Sequence, residues 1–68
     1  MTYQELIEHA QYHDSRVRAG SSEKSYHAGQ RNWACGMLRD QGFKIPAPVY
    51  NDPSILTDAL ASIAEIAQ

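Results

Sequence analysis

Apolar residues fall on one helical face in three separate stretches of this chain. In the first, Tyr3, Leu6, Ile7, Ala10 and Val17 line one side, with Glu5, Glu8 and Tyr12 turned away from it. The pattern predicts a helix over residues 3–18. Thr2 with Glu5 three positions later forms a capping box, in which each side chain satisfies a free backbone N–H of the first turn. Gly20 supplies the left-handed stop.

The second stretch predicts a helix over residues 23–41, opened by Ser22 as N-cap and closed by Gly42. With Gly42 at the C′ position, Phe43 and Leu38 become the hydrophobic pair that accompanies a Schellman stop. Tyr26, Gly29, Trp33, Ala34, Gly36, Met37 and Leu38 spread over more than half of this helix's circumference. A surface helix needs an apolar stripe of only about 100°. The expectation is a central second helix, packed by the first and third, with Trp33 largely buried. Gly29 and Gly36, seven residues apart, each cost about 1 kcal/mol of helix propensity against alanine, so a close neighbour is expected there. That neighbour is another helix of the chain or a second copy of it, which makes Gly29, Trp33 and Gly36 the candidates for self-association.

The third helix is expected over residues 53–67. Proline suits a first turn, and the residue before it is pushed out of helical geometry, so Asp52 reads as the cap. Ile55, Leu56, Ala59, Leu60, Ile63, Ile66 and Ala67 form its apolar face, and Asp58, Ser62 and Glu65 its wet one. Between the second and third helices, KIPAPVYN is held extended by Pro46 and Pro48, with Ile45, Val49 and Tyr50 available to pin it to the core. A short strand there would have no evident partner. The fold class is therefore all-α: one compact three-helix domain over residues 1–68, with an extended, Pro-containing connection between helices two and three.

Size sharpens this picture. A chain of 68 residues buries only about 60% of the surface it exposes when unfolded. Its single cysteine, Cys35, allows no internal disulfide, which fits a reducing, cytoplasmic setting and leaves a partner as the extra support. The first twenty residues hold no apolar run of the secretory kind, and no stretch approaches a membrane span. The net charge of −2 is uneven: residues 1–15 carry −3, residues 16–44 carry +4 and residues 45–68 carry −3. A positive middle between acidic ends steers acidic partners.

Reactive constellations are scarce. His9 and His13 are one turn apart, but HAQYH lacks the glutamate of the zinc-protease pattern HExxH, and no close-set ligand pair completes a four-ligand site. They read as surface histidines beside the apolar stripe, and neither metal nor cofactor is expected. Cys35 and His27 are eight apart on one helix and cannot touch as nucleophile and base, so Cys35 reads as a small buried hydrophobe. Asp14 interrupts the apolar stripe of helix one. If buried, it needs a partner, for which Arg18 and the Trp33 indole are the expected donors.

What is left is surface chemistry. Tyr12 with Arg16 has the composition of a binding hot spot, and Arg31 and Arg39 on the polar side of helix two can meet carboxylates or phosphates bidentately. The sequence thus points away from an enzyme and toward a small regulator or inhibitor that occupies a surface on a larger protein. Accessory proteins of phages and mobile elements, including anti-defence inhibitors, have this format. The alternative is a helix-turn-helix regulator, since helix one, a short break and helix two have the right lengths and carry the basic segment. Glu23 at the start of the would-be recognition helix counts against it.

Overall fold

The computed structural model describes residues 1–49 and 51–66, and contains three helices: α1 (Tyr3–Arg18), α2 (Lys24–Asp40) and α3 (Ser54–Ile66). The fold is all-α. The capping box opens α1: the Thr2 hydroxyl accepts from the Glu5 N–H (3.2 Å), and the Glu5 carboxylate accepts from the Thr2 N–H (3.0 Å). These two bonds hold the Glu5 carboxyl below the usual glutamate range. Gly20, at φ +74°, ends the helix in a Schellman turn, with the Ser21 N–H donating to the Arg16 carbonyl and the Gly20 N–H to that of Val17. Gly42, at φ +98°, does the same for α2, and the Phe43 N–H donates to the Leu38 carbonyl (3.1 Å). Phe43 packs against the core, as the Leu38–Phe43 pairing requires.

Other boundaries shift. Ser22 does not cap α2: Glu23 holds the N-cap position without a side-chain bond, and its N–H donates to the Ser21 hydroxyl in a preceding turn (3.2 Å). Asp52 accepts the Ser54 hydroxyl (2.6 Å), and α3 begins one residue later than expected. No strand forms in the connection among the described residues. Of the expected anchors, Ile45 is buried and Val49 is exposed; Tyr50 lies outside the described residues, as does Ala67 of the expected third helix.

The core joins Leu6, Ile7 and Ala10 of α1, Ala34, Cys35 and Leu38 of α2, Ile45, and Leu56, Leu60 and Ile63 of α3. Its centre is α1, not α2. The Cα atoms of α1 approach those of both other helices within 8 Å, whereas α2 and α3 nowhere come that close among the described residues. A helix covered on one side cannot bury a wide apolar arc. Hence Trp33 is 49% exposed rather than buried, and Tyr26 and Met37 stand out beside it. Ile55 and Ile66 of α3 are likewise exposed; among the described residues, α1 is the one helix whose Cα atoms come within 8 Å of those of α3. No helix among the described residues is long and apolar enough to cross a membrane.

Candidate interaction surface

α1 and α2 run antiparallel, and beside their shared apolar core the seam carries a polar edge that the sequence pattern did not suggest. Tyr3 meets Phe43 at one end, His9 meets Gln30 and Trp33 in the middle, and His13 meets Tyr26 and His27 toward the turn. His13 and His27 are each only 6% exposed, and their Nδ1 atoms lie 2.8 Å apart. His13 is an interior group, not the surface histidine that its spacing from His9 on α1 implied, and His27 is interior with it. A buried imidazole is tolerated here because each finds the other as its hydrogen-bond partner. Burial, then the neighbouring His9 and His27, hold the His13 imidazolium below the usual histidine range. His9 is half-buried and donates from Nε2 to the Gln30 side-chain carbonyl (3.1 Å).

Around this pair stands a continuous layer of rings. Tyr12 packs edge-on against His13 and His27, Tyr26 does so from the other helix, and Trp33 stands edge-on to His9. The inner members are buried, while Tyr12, Tyr26 and Trp33 are half to three-fifths exposed. The layer therefore has a fixed base and an open rim. From the rim, Tyr26, Gly29, Trp33, Gly36 and Met37 continue as one stripe along α2. A methyl group built on Gly29 or Gly36 would meet no heavy atom within 4 Å, so the close intrachain neighbour expected at these glycines is absent. The glycines instead leave the stripe flat beside the indole.

A second polar group crosses the same seam one step away. Asp14 is 3% exposed and Arg31 is 8% exposed. The Arg31 Nη1 donates to Asp14 Oδ1 (3.3 Å), and the Thr57 hydroxyl of α3 donates to Oδ2 (2.6 Å). Arg18 does not pair with Asp14 directly; its Nη1 donates to the Thr57 hydroxyl (3.4 Å). The expected partners Arg18 and Trp33 are thus replaced by Arg31 and Thr57, from elements that sequence neighbourhood could not bring together. Arg31 is correspondingly removed from the candidate partner-binding set: it faces inward because Asp14 lies opposite. Arg39 remains exposed, but it donates to the backbone carbonyls of Ile45 (2.9 Å) and Pro46 (3.0 Å), tying the connection to α2. Arg16 is exposed one turn beyond Tyr12.

These groups offer little reactivity. The Cys35 thiol is 2% exposed, and burial pushes its pKa up, so it carries little thiolate. Asp14 is engaged through both oxygens. A cleft of about 740 Å³ opens beside it, walled by Val17, Ala28, Val49 and Leu56 with Arg18 and Lys24 at its side. Among the described residues, no group of three or more His, Cys, Asp or Glu side chains has the geometry to hold a metal ion. Comparison with family models, curated proteins and solved structures finds no match to this chain.

Proposed function

We propose that this chain is a small protein-binding regulator or inhibitor that acts in the cytoplasm by laying the exposed stripe of α2 on a larger protein. The observation that carries the reading is the stripe itself. Tyr26, Trp33 and Met37 are exposed together on one helix face, around two glycines that no intrachain contact explains. Tyrosine and tryptophan are the residues most enriched at binding hot spots, and a rigid base under them lowers the entropy lost on docking. The His13–His27 and His9–Gln30 bonds supply that base. Tyr12 and Arg16 extend the surface across the seam, and an inhibitor of a host defence system is one format such a surface serves.

The same stripe can meet a second copy of the chain, because a two-fold interface is self-complementary. Light scattering at high micromolar concentration distinguishes a homodimer from a free monomer that keeps the face for a foreign protein. The competing reading, a helix-turn-helix that enters DNA, calls for two helices crossing at roughly 90–120°. The antiparallel ladder of contacts from Tyr3–Phe43 to His13–His27 weighs against that crossing. Retention on duplex DNA at low salt, with a steep loss on adding salt, would favour it instead.

Gly36→Leu tests the stripe. With open space at this position, the substitution should not disturb the monomer, and the gain in helix propensity, about 0.5–1 kcal/mol, should raise the melting temperature by a few degrees. Used as bait in the native host, the variant should lose the protein that the wild-type chain captures in stoichiometric amount. Capture undiminished by Gly36→Leu would remove the stripe from the interface.

A further inference from the structure

The geometry points to a proton-operated clasp between α1 and α2: His13 and His27 share one Nδ1 hydrogen, and a proton on both rings opens the hairpin near its turn. Two nitrogens 2.8 Å apart are in hydrogen-bond contact, so one carries an N–H and the other offers a lone pair. Adding a proton to the acceptor puts two N–H groups face to face. It also puts two positive rings in contact, inside a seam where each is 6% exposed.

The surroundings make the two rings unequal. Glu23, one turn before His27 on α2, places Oε2 4.0 Å from His27 Nε2, so a proton on that ring has a counter-ion beside it. Among the described residues, no carboxylate forms such a pair with His13. That ring is faced by His9 on its own helix, by His27 across the seam and by the rings of Tyr12 and Tyr26. Arg16 and Lys24 flank the region but are exposed. Asp14 and Arg31, one step along, neutralise each other, and α3 reaches this part of α1 through the uncharged Thr57 hydroxyl. The depressed basicity of His13 has the matching direction. Its neutral form belongs to the folded state, so its contribution to stability is complete above the ordinary histidine value of 6.5 and is lost as the pH falls below it. Tyr12 and Tyr26 both pack on the pair, so opening the clasp moves two rings of the aromatic rim.

Long-range nitrogen–proton NMR correlations of the imidazole rings in the wild-type chain test this directly. At about pH 8, one of His13 and His27 should carry its proton on Nδ1 while the other has a bare Nδ1. On lowering the pH to about 5, both should become Nδ1-protonated, the Tyr12 and Tyr26 ring signals should shift together, and the melting temperature should fall by several degrees. In His13→Asn, whose amide can replace Nδ1 without titrating in this range, most of that fall should disappear, while His9→Asn should keep it. Should His13→Asn fail to fold, the tautomers of the wild-type chain decide alone. Two Nε2–H tautomers at about pH 8, a melting temperature indifferent to pH, or stoichiometric zinc holding both Nδ1 atoms bare would each overturn the clasp.

Discussion

Asp14→Ala is expected to unfold much of the chain at room temperature. The substitution removes the carboxylate that neutralises Arg31 and leaves a guanidinium that is 8% exposed without its counter-charge. Removing one partner of a buried pair costs about 3–5 kcal/mol. Small domains commonly hold only about 5–15 kcal/mol in total, and one of this size lies toward the lower end. The Thr57 hydroxyl also loses its bond to α1 and keeps the Pro53 carbonyl as acceptor, which loosens α3 from α1. The cause is the orphaned charge rather than the lost attraction, so removing both partners should be far milder. Asp14→Leu combined with Arg31→Met should refold, since apolar residues of similar volume often replace a buried pair without loss. Thermal unfolding followed by circular dichroism of the two single variants and the double variant measures this. An Asp14→Ala variant as stable as the wild type would mean that the pair contributes nothing.

Leu60→Ala should cost about 2–5 kcal/mol, while Trp33→Ala should cost well under half of that. Leu60 is fully buried where α3 meets the core, and its truncation leaves a cavity that a three-helix domain has few ways to close. Trp33 is half exposed, with its edge contact to His9 as the ring interaction it loses. Denaturant titration of both variants gives the comparison. A Trp33→Ala variant that unfolds as readily as Leu60→Ala would restore the indole to the core and α2 to the centre of the fold.

The mild cost expected at Trp33 departs from what the pattern of α2 suggests, which is a largely buried indole, and the reason is physical. The start of α1 and the stops of α1 and α2 were legible because they depend on local chemistry: the Thr2–Glu5 box and the Gly20 and Gly42 stops stand where the residues put them, whereas Ser22 did not become the cap of α2. The apolar faces of α1 and α3 were legible at Leu6, Ile7, Ala10, Leu56, Leu60 and Ile63 because those positions meet apolar neighbours. The face of α2 was misread because two of its inward positions, His27 and Arg31, are polar. They are inward only because His13 and Asp14 stand opposite on α1, a match between residues fourteen and seventeen positions apart. With those two read as wet, the apolar arc centres near Tyr26, and the helix is turned by about 120° from its true setting at 3.6 residues per turn, with Ala34 and Leu38 common to both faces. Tyr12 was found as an exposed aromatic from its own helix. Its neighbours in the ring layer, His27 and Tyr26, come from the other side of the hairpin and left no local signal.

The most direct test of the proposed surface uses the partner once it is captured and purified with the wild-type chain. Size-exclusion chromatography with light scattering would then compare complex formation by the wild type and by Trp33→Ala at equal concentration. Tryptophan hot spots cost about 2 kcal/mol or more on truncation, so the variant should bind about thirtyfold or more weakly while keeping the helical content and the cooperative unfolding of the parent chain. A folded Trp33→Ala variant that forms the complex as tightly as the wild type would contradict the account.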